Sequence, residues 1–114
     1  MWIPEVYPGF SWSNIAKLRH WTNPQVTYCR NGGQFYWEQW AKLTKLAALT
    51  VFVGMFDEVD EGTAIYKVTN DPPGQGHFVT YDGLPSDWYL RLTREGVRML
   101  RGERRLSDVI PITP

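Results

Sequence analysis

The stretch Leu49-Thr50-Val51-Phe52-Val53-Gly54-Met55-Phe56 runs straight into Asp57-Glu58-Val59-Asp60-Glu61-Gly62-Thr63. Its first half is continuously apolar, with β-branched and aromatic residues. That is the pattern of a strand buried on both faces of a parallel sheet. Its second half gathers four acids and ends in Gly-Thr. Parallel strands that deliver side chains at their carboxyl ends are how α/β barrels and open α/β sheets build active sites. The expectation is therefore that Leu49–Phe56 is the most buried strand. Asp57 to Gly62 should lie at its exposed carboxyl end, beside the loop after Tyr7.

The flanks support an α/β reading. Gln34 to Ala48 reads as a helix, with Tyr36, Trp40, Leu43 and Ala47 on one face at i, i+4, i+7 and i+11. The apolar strand follows almost at once, which makes one αβ step. Earlier, Trp2 to Tyr7 reads as a strand with pairing limited near Pro4, and Pro8-Gly9 as a turn. Ile15 to Trp21 holds a helical turn or two, and Asn23 to Gly33 reads as loop. After the acids, Ala64–Thr69 is a short strand or extended loop, and His77–Tyr81 a second short strand. A helix then runs to about Leu100, with Trp88, Leu92, Gly96 and Met99 on its buried face. Gly96 allows close packing there, and Gly102 stops the helix. Residues 103–114 form a C-terminal tail that drapes over the body.

Two or three strands cannot close a barrel, since a complete (β/α)8 barrel takes about 250 residues. The 114 residues are one domain's worth of core. They form either a small α/β domain or the last strands and helices of a larger barrel.

Charge and composition remove other classes. Twelve basic and twelve acidic residues cancel, so no basic field exists to hold nucleic acid or an anionic membrane. No apolar run approaches the length of a membrane span. Met1-Trp2-Ile3-Pro4 lacks the charged start and apolar centre of a signal peptide. The single cysteine, Cys29, rules out an internal disulfide and reads as a buried, inert thiol.

Four stretches in series resemble the C-terminal part of glycoside hydrolase family 71/99-like proteins. They are Tyr7-Pro8-Gly9-Phe10-Ser11-Trp12, Arg30-Asn31-Gly32-Gly33-Gln34-Phe35-Tyr36-Trp37, Met55 to Ile65, and Gly83-Leu84-Pro85-Ser86-Asp87-Trp88-Tyr89-Leu90-Arg91-Leu92-Thr93. Those proteins are (β/α)8-barrel relatives of the endo-α-1,2-mannosidases, and bacterial members are often labelled xylosidase/arabinosidase. The resemblance implies that the chain is the C-terminal segment of a (β/α)8 TIM barrel, a fragment of a larger glycosidase that is secreted or periplasmic. It also implies a carbohydrate substrate, with no cofactor and no metal.

In the mannosidases the acidic motif reads Trp-Asn-Glu-Trp-His-Glu-Gly-Thr. Both glutamates carry over, onto Glu58 and Glu61. The resemblance makes Glu58 the base on the sugar 2-hydroxyl. It makes Glu61 the acid to the leaving oxygen and then the base to water, with a 1,2-anhydro sugar between and retention overall. Asp57, Val59 and Asp60 depart from the pattern, where it has Asn, Trp and His. Mannose specificity is not carried over.

General chemistry agrees. Glycoside cleavage commonly uses two carboxyl groups in different environments, and crowding of acids is one way to keep a proton on one of them. The other readings of the acidic turn are a solvated, inert turn and a hard-cation site, although its spacing matches no metal loop. Around it, Trp12 is a candidate to stack on a sugar and Asp57 a candidate to bind one. Phe10 reads rather as packing. Tyr7 faces either cleft or core, and Trp37 is undecided. Arg30 meets a sugar hydroxyl, a neighbouring carboxylate, or only solvent. His20 and His77 have no partner in view. The competing classes are a non-catalytic, carbohydrate-binding remnant and a small α/β domain of another binding role. As part of a barrel, the isolated chain should be marginal, self-associate through an exposed edge, or expose a large apolar patch.

Overall fold

Two helices pack side by side and carry the core. The computed structural model describes residues 1–23 and 27–114. Its elements are β1 (Glu5–Val6), β2 (Phe10–Ser11), α1 (Ser13–Leu18), β3 (Thr27–Tyr28), α2 (Gln34–Lys45), β4 (Phe52–Val53) and α3 (Trp88–Leu100). β1 and β4 pair in parallel, Glu5 with Phe52 and Val6 with Val53. β2 and β3 form an antiparallel ladder. The molecule measures 45 × 32 × 19 Å. Its radius of gyration of 14.9 Å exceeds the ~13 Å of a compact chain this long, so it is a slab rather than a sphere. It is a small α/β unit, of the kind that forms part of a barrel.

The helices form where the apolar period put them. α2 buries Tyr36, Trp37, Trp40 and Ala41 on one face, and α3 buries Trp88, Tyr89, Leu92, Gly96 and Met99. Where they cross, Gly96 lies against Trp40 so closely that a Cβ would come within 2.4 Å of the indole. The Tyr36 hydroxyl shares a 2.9 Å hydrogen bond with Thr93 Oγ1. Trp37 is core, and its indole N–H donates to the Ser107 carbonyl. Residues 103–114 lie on this pair: Ile110 and Ile112 pack on the core, Arg91 donates to the Thr113 carbonyl, and Lys45 pairs with Asp108.

Both helices end in the same motif with different residues. α3 ends at Leu100, Gly102 beyond it takes φ 72°, and the Glu103 N–H reaches the Arg98 carbonyl. α2 ends three residues earlier than expected, at Lys45. Ala47 takes φ 53°, and the Ala48 N–H reaches the Leu43 carbonyl. Ala47 thus sits in a left-handed position that normally takes glycine, outside the helix and exposed, not on its buried face. Leu43 is half-buried.

The apolar run departs most from expectation. Only Phe52–Val53 is strand, and Leu49 is 97% exposed, Phe52 57% and Phe56 53%. Val51 and Val53 do pack on the helical core. The run is therefore covered on one face only. β4 pairs with β1 alone among the described residues, and more than half of the Phe52 surface stays exposed. Met55 (φ 56°) turns the chain before the strand can extend. Other corrections are smaller. Ala64–Thr69 and His77–Tyr81 are loops, and Thr27–Tyr28 is a strand inside the expected loop, of which Pro24 lies outside the described residues. Cys29 is exposed, because it follows a strand whose residues are both exposed.

Candidate functional site

The acidic loop lies at the carboxyl end of β4, next to the chain that leaves the carboxyl end of β1. Parallel pairing makes this so: Phe52 N–H donates to the Pro4 carbonyl and Gly54 N–H to the Val6 carbonyl, so both strands run outward together. The loop then folds on itself. The Glu58 carbonyl accepts from the Thr63 and Ala64 N–H groups at 3.1 and 2.9 Å, and the Gly62 N–H donates to the Val59 carbonyl. Gly62 is required here: its φ is 66°, and a Cβ would meet Val79 at 2.8 Å.

Three neighbours hold the loop in place. Ser11 N–H donates to the Glu61 carbonyl at 2.7 Å. Asn14 Nδ2 donates to Asp60 Oδ1 at 3.3 Å. From behind, Arg30 Nη2 donates to the Gly62 and Ala64 carbonyls at 2.9 and 2.8 Å. Arg30 is only 2% exposed, and its guanidinium lies 4.9 and 4.5 Å from the ring centres of Tyr81 and Tyr89. So Arg30 is neither a surface arginine nor paired with a carboxylate. It is a buried clamp on the backbone around Glu61. Burial lowers its pKa, and the two tyrosines oppose that. Burial also pushes the Tyr81 phenol up to about 12. Tyr81 adds a hydrogen bond to the Ala64 carbonyl.

In front of the loop is a groove of about 290 Å³. Glu61, Tyr7, Phe10, Tyr28 and Glu5 form its walls. The Tyr7 ring meets Phe35 edge-on at 5.5 Å and Tyr28 at 6.5 Å. Its phenol is raised above the usual tyrosine value, first by burial, then by Tyr28 and Glu5. Of the residues singled out from sequence, the structure brings Glu61 and Tyr7 together here. Glu58 is half-buried, and its Oε1 accepts the Asp60 N–H at 2.9 Å rather than lining this groove. Asp57 is exposed. Trp12 stands further out, against Phe10 at 5.4 Å and Trp21 at 5.5 Å. Tyr28 and Glu5 were not singled out. Tyr28 lies in a stretch read as loop, and Glu5 lacks any motif.

A second cavity, of about 370 Å³, lies behind the loop and is walled by Val59, Gly62, Phe78 and Val79. Among the described residues no carboxylate lines it, whereas Glu5 and Glu61 line the front groove. Among the described residues no group of His, Cys, Asp and Glu is arranged to hold a metal ion. No helix among them is long and apolar enough to cross a membrane.

No family model and no curated protein matches the chain. Solved structures do. One is the GH99 endo-alpha-mannosidase from Bacteroides thetaiotaomicron in complex with Bis-Tris propane, at 27% identity and a TM-score of 0.73, covering 88% of this chain and 30% of that one. Another structure of the GH99 endo-alpha-mannosidase from that organism gives 28% identity and 0.71, over 90% of this chain and 29% of that one. The likeness supports a GH99-like glycoside hydrolase relationship. It lends none to family 71 or to the xylosidase/arabinosidase label. The chain spans about 30% of the length of these glycosidases.

Proposed function

We propose that this segment supplies the acidic loop of a glycosidic-bond-hydrolysing site, with Glu61 and Glu58 as its working carboxylates. One observation carries the reading. Glu61 lines an aromatic-walled groove at the carboxyl ends of two parallel strands, in a fold shared with endo-α-mannosidases. Aromatic faces suit the C–H faces of a sugar ring, and a carboxyl group beside them is where a leaving oxygen needs its proton. Glu61 serves as acid and then as base to water. Glu58 serves as base on the 2-hydroxyl, once its side chain leaves the Asp60 N–H. Tyr7 and Trp12 contact the sugar, and Asp57 approaches it from the open side of the loop. The role of Arg30 is the clamp it already makes. Bis-Tris propane, present in one of the similar structures, is a polyhydroxylated compound of the kind such a groove should hold.

A non-catalytic reading has its own support. Leu49, Phe52, Met55 and Phe56 are exposed, so this segment alone does not surround the groove. The isolated chain then binds sugar without turning it over, and hydrolysis requires further βα units. The test is release of a chromogenic leaving group from a panel of α- and β-glycosides. It compares the 114-residue chain with the longest polypeptide that carries it. Hydrolysis by the longer protein that survives both Glu58→Gln and Glu61→Gln at near-normal rate refutes the assignment.

A further inference from the structure

Glu5 stands where a short sheet has no structural use for it. Its neighbour Val6 is fully buried in the helical core, while Glu5 projects from the opposite face, in register with Phe52. Glutamate is a poor strand former and gains nothing from a phenylalanine partner. Yet room is made for its carboxyl group. A Cβ built on Gly54 would come within 2.0 Å of Glu5 Oε1 and 2.9 Å of its carboxyl carbon. Gly54 is not among the positive-φ glycines, so the backbone does not call for glycine there. The absent side chain is what lets the carboxyl group lie over the strand. From that position Glu5 acts on Tyr7, as one of the influences that raise its phenol. It also lines the groove together with Tyr7, Tyr28 and Glu61.

We propose that Glu5 is a further substrate-contacting residue of this groove, a carboxylate that accepts hydrogen bonds from ring hydroxyls while Tyr7 and Tyr28 cover the apolar face of the same sugar. The inference rests on the groove being the carbohydrate site. A carboxylate takes two hydroxyl donors at once, and such charge-assisted bonds are about twice as strong as neutral ones. Among the described residues no basic side chain lines the groove, so Glu5 and Glu61 stay available to a ligand. Glu61 then works at the scissile bond, and Glu5 decides which polyol is held there.

The probe is methyl α-mannoside, a neutral polyol, titrated into the 114-residue chain and followed by the NMR signals of Tyr7 and Tyr28. The variants are Glu5→Gln, Gly54→Ala and Glu61→Gln. Gly54→Ala keeps the charge of Glu5 but pushes its carboxyl group aside, so the test survives if Glu5→Gln fails to fold. Unmoved indole signals of Trp40 and Trp88 show that the core is intact. The expected result is saturable binding that weakens about tenfold in each variant. If Glu61→Gln weakens binding while Glu5→Gln and Gly54→Ala stay within about twofold, Glu5 is not a contact and the groove reading stands. If the probe leaves Tyr7 and Tyr28 unmoved, or no variant matters, both are overturned.

Discussion

Replacing Arg30 with lysine tests whether the acidic loop is held from behind. The substitution keeps the charge, but it removes Nε and Nη1, which lie buried without a hydrogen-bond partner, so part of the cost of burial is recovered. It removes the planar fork. One Nη2 of Arg30 now reaches both the Gly62 and Ala64 carbonyls, at 2.9 and 2.8 Å, while the guanidinium lies over two tyrosine rings. An ammonium on a shorter reach keeps at most one of those carbonyls. Ala64 keeps only a 3.3 Å contact with the Tyr81 hydroxyl, whose shorter bond goes to the Tyr66 carbonyl, so one of the two carbonyls is left without a good donor. A lost hydrogen bond to a charged group costs about 1.5–3 kcal/mol, and weakened cation–π contact adds about 0.5–1 kcal/mol. The sum is about 3 kcal/mol before the relief of the two unpartnered nitrogens, a large share of the ~5–15 kcal/mol typical of a folded domain. Urea unfolding followed by tryptophan fluorescence measures it. Amide exchange at Thr63 and Ala64, both bonded to the Glu58 carbonyl, reports the loop itself. A change below about 0.5 kcal/mol with unaltered exchange at both amides would refute the clamp.

Ala47→Gly should stabilise the chain by up to about 1 kcal/mol, because it relieves a left-handed alanine at the end of α2; a lower melting temperature argues against that. Gly96→Leu should prevent cooperative folding, since its first added atom already meets the Trp40 ring; near-ultraviolet circular dichroism reads the loss. Tyr36 and Tyr81 are both raised to about 12 from 10.0 by burial. The folded state therefore holds those protons after the unfolded state has lost them, and the contribution to stability, complete below pH 10, is lost as pH rises toward 12. Absorbance at the phenolate band against pH checks this, and full ionisation before unfolding contradicts it. Phe52→Ser should reduce self-association of the isolated chain, measured by sedimentation velocity, because Phe52 is exposed on the uncovered face of β4. In a longer, active protein, Glu61→Gln and Glu58→Gln should each cut turnover about a hundredfold or more, and Asp60→Asn much less.

Local pattern was enough for the two helices and for the end of the sheet that carries the acids. The buried faces of α2 and α3 follow from a period of 3.6 that no distant contact had to override, and Gly96 was legible because a helix face needs a small residue at a crossing. The acidic loop was legible because parallel strands put their carboxyl ends together. Burial of whole faces was decided elsewhere. An apolar run signals that a strand wants cover on both sides, but Phe52 is covered only if another element arrives, and more than half of its surface stays exposed. Arg30 was read as a surface or sugar-binding residue because its partners, Gly62, Ala64, Tyr81 and Tyr89, lie more than thirty residues away and two of them offer only backbone carbonyls. The same holds for the groove. Glu61 and Tyr7 each carried a local motif, whereas Glu5 and Tyr28 reach it only through parallel strand register and antiparallel pairing, and pairing between segments is a property of the folded chain.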